Sequence, residues 1–335
     1  GRLQAAAEAK RKFVQCVQVT KAQEEFSSAM LNLLSMDFSM ESSYADVLRY
    51  NSFMRERNTR ETDTEGNCAF GDGFFKGLFP NNNGRDFFKL EGEALEAWKN
   101  KYGDKIVDFG AGKLNNTRTL RNAGVFVSAF EPYFVTTGDT IHKEKSIEIA
   151  NKFLDEVESG VEYTSVFISS VFNSVPFMED RIKIAQIAAA LCSPGGRVVC
   201  WCQSNESQQF VITKKHSVTN NARLTFDLDY EPNTVLGDIS KHPKVQKGHT
   251  ADELKDIFSR SFKSIDRIDM ISKFWYLEAT KPTVNPERLA EALDFEFNLP
   301  YPDGTTLGLA DRARKVFEKR LGITLPGKEE TGHGD

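Results

Sequence analysis

Several features that mark common protein classes are missing from this 335-residue sequence. There is no CxxC pair, and the five cysteines (Cys16, Cys68, Cys192, Cys200, Cys202) are odd in number. In a chain this long that argues against a disulfide framework and for a reducing, intracellular setting, with a cytoplasmic location the expectation. No apolar run approaches the roughly 18 residues of a membrane span, so no membrane partner is expected. The first thirty residues lack a compact apolar core, so no signal peptide is read there. The chain opens on Gly1-Arg2 rather than Met, which suggests an added remnant, a processed product or an excised piece of something larger. Neither sign of charge dominates: 43 Lys+Arg stand against 48 Asp+Glu, a formal net charge of -5. That excludes coating nucleic acid by bulk electrostatics but leaves a local basic groove open. His216, His242 and His249 show no paired-ligand spacing, so no metal site is expected. There is no internal repeat.

What is present points to a folded α/β chain. The 26 Phe and 40% hydrophobic residues argue against wholesale disorder. At about 150 residues per domain the length allows one large domain with extensions, or two. From Leu3 to about Leu34, apolar residues such as Phe13, Val17, Phe26 and Met30 recur at helical spacing. Residues 35 to 95 read as irregular, with Arg55, Arg57 and Arg60 close together and a loop at Pro80-Asn81-Asn82-Asn83-Gly84. From Lys105 short apolar runs alternate with helical stretches, the signature of a parallel α/β sheet. Strands are predicted at 106–109, 125–130, 164–169 and 196–202, and helices at 116–122, 141–157 and 180–191. Cys200 and Cys202 flank Trp201 and would share one strand face as small core residues. Thr250 with Glu253 forms a capping box that starts a helix to about Phe262. Strands at 264–270 and 274–279 follow as a hairpin, and residues 203–249 form an insertion with β-like pieces at 210–213 and 223–228.

Chemistry concentrates in Val107-Asp108-Phe109-Gly110-Ala111-Gly112-Lys113, between a strand and a helix. Glycines there let the backbone approach a ligand, and the following helix turns its first amides toward it. A dinucleotide fingerprint needs G-x-G-x-x-G/A, and Asn115 occupies its third position. A tight strand-helix turn with no ligand is the bland alternative. Glu131, 19 residues after Gly112 at the end of the second strand, can accept hydrogen bonds from both hydroxyls of a ribose.

The D-x-G-x-G turn and Glu131-Pro132-Tyr133 resemble the class I, Rossmann-like S-adenosylmethionine-dependent methyltransferases over residues 100–280. The run Ser193-Pro194-Gly195-Gly196-Arg197 resembles the same family, as does a helix followed by a final hairpin. Two departures stand out. Lys113 occupies a place where a third glycine is common, and no third strand with its adenine-contacting residue is found between Glu131 and Thr164.

The resemblance implies a mostly parallel sheet with a C-terminal antiparallel hairpin, at 100–280, between a helical or irregular extension (1–99) and an appendage (281–335). It implies S-adenosylmethionine as cofactor, held by Asp108, Phe109, Gly110, Ala111, Gly112, Glu131, Pro132, Ser169 and Ser170. The acceptor site would follow the strand at 164–169. Asn173, Pro176 and Phe177 there echo, out of register, the run used by enzymes that methylate exocyclic base amines, with Asn173 orienting the amine and Phe177 stacking on an extruded base. Asn173 as a turn residue is the alternative. No Pro-Cys pair follows this strand to supply a nucleophile for cytosine C5.

The runs 169–181, 244–247 and 298–304 look like a group of phage and mobile-element methyltransferases associated with DNA modification. Lys214, Lys215, Lys241, Lys244 and Lys247 form a strip that could contact phosphates, or a solvated face. The favoured expectation is methylation of a nucleic-acid base amine, DNA rather than RNA. A small-molecule methyltransferase and a catalytically degenerate binding protein are the alternatives, and the sequence leaves the oligomeric state open.

Overall fold

The computed structural model describes residues 20–21, 23–24, 73–80, 90–135, 141–207, 225–227, 231–237, 244–301 and 303–327. The helix read over 3–34, the Arg55–Arg60 cluster and the β-like piece at 210–213 lie outside the described residues, four positions of that helix excepted.

Chain order runs through α1 (Gly73–Lys76), α2 (Gly92–Tyr102), β1 (Lys105–Phe109), α3 (Asn115–Asn122), β2 (Phe126–Phe130) and α4 (Lys143–Glu158). Next come β3 (Tyr163–Ser169), α5 (Met178–Leu191), β4 (Cys192–Gln203), β5 (Thr225–Asp227), β6 (Thr234–Gly237) and β7 (Lys244–Lys247). The described chain ends with α6 (Ala251–Ser259), β8 (Phe262–Ile271), β9 (Phe274–Pro282), α7 (Pro286–Glu296) and α8 (Ala310–Leu321). Six strands form the main sheet in the order β2-β1-β3-β4-β9-β8, while β5-β6-β7 make a small antiparallel sheet within the insertion. Strands β1 to β4 are parallel and β8 and β9 antiparallel. This is the mostly parallel sheet with a C-terminal antiparallel hairpin that the sequence implies. Among the described residues β2 is an edge, in keeping with the missing third apolar strand.

The strands are buried because their side chains alternate between two apolar layers. On β4, Val198, Cys200 and Cys202 join one cluster with α4, α5, α6, α7 and α8. Val199 and Trp201 join the other, with α1 and α2. The two cysteines thus share a face as predicted, and Cys192, Cys200 and Cys202 are all free and buried.

Several local signals settle the elements. After α3, Gly124 takes φ 77 and its N–H reaches the Arg121 carbonyl, closing the helix as a glycine beyond a helix end does. Thr250 Oγ1 accepts from the Glu253 amide at 3.2 Å. Strand β4 begins at Cys192, earlier than residue 196, because its irregular start already pairs with Tyr163. The turn between β8 and β9 holds Ser272 at φ 52 and Lys273 at φ 67, both left-handed as a tight two-residue hairpin turn requires.

Two elements carry no strong sequence signal. The single turn α1 is fully buried on Trp201 and Phe167, and Phe74 stacks on Phe167 with ring centroids 4.3 Å apart. The C-terminal appendage is two helices packed back onto the sheet's helical layer. There Arg320 donates to the carbonyls of Val161, Ala190 and Leu191, and Phe297 meets Phe130 at 4.9 Å.

Candidate functional site

The parallel strands end together, with Phe109 level with Phe130 and Ser169 with Trp201. Chain crossovers leave β1 in opposite directions toward β2 and β3, a switch point where α/β sheets open a crevice. A cavity of about 250 Å³ occupies that place.

The glycine turn forms its floor. The amides of Gly110 and Ala111 both donate to the Phe130 carbonyl, at 2.8 and 3.0 Å, folding the turn over the end of β2. Gly110 and Gly112 have φ 81 and 55, which glycine adopts without strain. Their surroundings differ. A Cβ on Gly110 would collide with Val171, whereas one on Gly112 meets nothing within 4 Å. The third left-handed residue of the turn is Leu114, at φ 62, and not Lys113. The position that favours glycine therefore carries a leucine under strain.

Glu131 is the acidic centre of the wall. It is buried, and its Oε2 accepts from the Gly112 amide at 2.6 Å while Oε1 accepts from the Tyr133 amide at 2.9 Å. Two backbone donors hold the carboxylate in one orientation. Asp108 is also buried, but its Oδ2 accepts from Thr117 Oγ1 at 2.6 Å, joining β1 to α3 behind the turn.

The other side of the cavity comes from the end of β3 and from α5. Ser170 is left-handed, at φ 61, with its amide donating to the Trp201 carbonyl at 2.7 Å. Ser169 Oγ accepts from the Gly73 amide at 3.3 Å. Val171, Ser174 and Val175 continue the wall, with Asp180 and Ile184 from α5. Asp180 is buried beside Lys183, at 3.1 Å.

Of the expected cofactor residues, the cavity brings together Phe109, Gly110, Gly112, Glu131, Pro132, Ser169 and Ser170; Asp108 and Ala111 do not line it. Asn173 and Phe177 do not line it. Asn173 is buried, and its Oδ1 accepts from the Gln203 amide at 2.7 Å, tying the loop after β3 to the end of β4. Phe177 is the residue before α5.

The basic strip needs correction at Lys247. Lys247 is buried, lies 3.0 Å from Glu253 and donates to the Pro232 carbonyl. Its neighbour Arg181 has no exposed surface, and reaches Glu253 at 2.7 Å and Glu231 at 3.4 Å. Two cations and two carboxylates neutralise one another under the insertion, as buried charges must. His249 is buried in the same layer, its Nδ1 3.1 Å from the Gln203 carbonyl. Lys214, Lys215 and Lys241 lie outside the described residues, and of Lys244 only the backbone on β7 is described. Among the described residues no group of His, Cys, Asp and Glu is arranged to hold a metal ion. No helix among them is long and apolar enough to cross a membrane.

The wall residues that the sequence did not assign to the site include Asp180 and Ile184 on α5 and Phe295, Glu296 and Leu299, which come from the end of α7 and the segment after it. The run from Asn298 to Gly304 stood out in the sequence, but nothing local to it indicates that it returns to the glycine turn.

No protein-family model matches the sequence, and no curated protein does. Solved structures similar to this chain include the CcbJ methyltransferase from Streptomyces caelestis, at 13% identity and TM-score 0.32, covering 53% of this chain and 84% of that one. A S-adenosylmethionine-dependent methyltransferase from Clostridium acetobutylicum ATCC 824 shares 10% identity at TM-score 0.36, over 56% of this chain and 89% of that one. A SAM-dependent methyltransferase from Bacteroides fragilis, in complex with S-adenosyl-L-homocysteine, shares 14% at TM-score 0.35, over 58% and 80%.

Proposed function

We propose that this chain is a methyltransferase that uses S-adenosylmethionine. The observation that carries the reading is the joint placement of Gly112 and Glu131 on one switch-point cavity, with the amide of the first held by the carboxylate of the second. The donor set fits the cofactor. An oriented, buried carboxylate suits two ribose hydroxyls, and the open space at Gly112 suits close approach of the ligand. Gly110 to Gly112, Ser169 and Ser170 would receive the cofactor's amino-acid end, with Asp108 bracing the turn through Thr117. When bound, S-adenosylmethionine supplies an electrophilic methyl group on a sulfonium. The chain's own work is positioning, since fixing a near-attack geometry lowers the barrier without further chemistry.

For the acceptor, the cavity favours a compact molecule bearing an amine. Its described wall carries apolar residues, serines and carboxylates, and no Lys or Arg. Asp180, beside Ser174 and Val175, would accept an N–H hydrogen bond from that amine and orient its lone pair. Asn173 is then a positioning residue, holding the 171–177 loop through Gln203. A nucleic-acid base, as in DNA modification, remains the second reading, supported by the lysines of the insertion other than Lys247.

Calorimetric titration with S-adenosylhomocysteine tests the cofactor assignment. Glu131→Gln should weaken binding by about tenfold or more, in line with the loss of a charge-assisted acceptor. Absence of binding to the unmodified chain would sink the proposal. Incubation with labelled S-adenosylmethionine and, separately, amine metabolites, DNA and RNA then decides the acceptor by which pool gains label.

A further inference from the structure

We infer that residues 295–299 form the wall against which the cofactor's adenine packs, in the place of a strand beyond β2, which is absent among the described residues. The inference rests on the proposed use of S-adenosylmethionine. Strand β2 ends the sheet among the described residues, so no neighbouring strand is available to cover a base held beside Glu131. The C-terminal segment covers that ground instead. Tyr301 Oη donates to the Pro132 carbonyl and Tyr133 Oη donates to the Pro300 carbonyl, each at 3.2 Å. The two tyrosine rings meet edge to face at 6.0 Å. This reciprocal clasp sets the chain after α7 directly on the loop that follows Glu131.

With a ribose held by Glu131, the glycine turn and Ser170 would receive the sulfur arm, and Pro132 and the clasp would face the base. Leu299, two residues before the Tyr301 of the clasp, lines the cavity and supplies an apolar surface for a flat heterocycle, while Phe295, its ring 4.0 Å from Lys183 Nζ, lines it toward α5. Glu296 lies between them in sequence, buried and on the same wall. As an acceptor, the Glu296 carboxyl group would match the exocyclic amine of adenine and oppose the carbonyl that hypoxanthine has in its place.

Binding of S-adenosylhomocysteine and S-inosylhomocysteine, measured by calorimetry on the full chain and on variants checked for folding by thermal melts, tests the assignment. The unmodified chain should prefer the adenine ligand by about tenfold or more, and the near-isosteric Glu296→Gln should narrow that preference. Leu299→Ala should weaken S-adenosylhomocysteine about tenfold. Unchanged affinity in folded Leu299→Ala, or an unchanged preference in Glu296→Gln, overturns the inference while leaving the cofactor assignment standing. Failure of the unmodified chain to bind either ligand overturns both. Glu296→Gln alters no volume, so the test survives if Leu299→Ala does not fold.

Discussion

Asn173 shows how a polar residue beside a candidate site can belong to the scaffold. Its carbonyl oxygen satisfies the buried amide of Gln203, and removing it leaves that donor without a partner. Asn173→Ala should therefore cost about 1–3 kcal/mol in urea-monitored stability, the usual penalty for a buried unsatisfied group. A substitution that abolished methyl transfer at full stability would instead assign Asn173 to the acceptor. The glycine turn teaches a related lesson. The sequence marks Gly110 and Gly112 equally, but the space at Gly110 is taken by Val171, and only Gly112 faces open space. Glu131 was legible because a strand end and a spacing from the glycines both marked it. Asp180 was not, because one acidic residue in a helix's first turn is ordinary and its cavity exists only after folding.

At the scale of elements, β1 to β4 and their connecting helices were legible because they bury apolar residues in short, regularly spaced runs. Helices α7 and α8 were not legible in that way, since their destination on α4 and α5 depends on contacts more than a hundred residues away, such as Arg312 with Asn151. Local periodicity says that a face will be buried and not where. The β8–β9 turn offers a test of element stability. Ser272 and Lys273 hold left-handed conformations that asparagine and glycine accept more readily. The double substitution Ser272→Asn with Lys273→Gly should raise stability by about 1 kcal/mol, read from the denaturation midpoint. A loss of stability would mean that the turn geometry is set by the Lys273 carbonyl, which accepts from Ser204, and not by local propensity.

Over the whole molecule, the net charge of -5 says little about how stability responds to pH, because the decisive groups are buried. Burial, with Arg181 and Lys247 nearby, holds the His249 imidazole well below its ordinary value of 6.5. The unfolded chain takes up a proton there that the folded chain refuses, so stability falls as pH drops below about 6.5, by up to about 1.4 kcal/mol per unit from this group. At the other end burial pushes Cys192, Tyr163 and Tyr301 up to about 12. Those groups stay protonated in the fold while the unfolded thiol and phenols ionise from about pH 9 to 10, so stability falls again as pH rises toward 12. Lys247, lowered chiefly by its burial, works against this alkaline loss below its ordinary value of 10.5. Urea midpoints across pH 5 to 11 should trace a dome, and His249→Gln should flatten its acid limb; a midpoint that climbs on acidification contradicts the burial of a neutral imidazole.

The clasp between Tyr133 and Tyr301 also sets a schedule for synthesis. A ribosome would release every strand of the main sheet by residue 282, well before Leu299 emerges. During that interval Phe130 and Phe153 lack the Phe297 ring that later covers them, and the nascent chain carries an open, sticky crevice. A stop codon or a protease cut near residue 285 would leave this species permanently, with an intact sheet and an unfinished pocket, and chaperones would meet it as an aggregation-prone product.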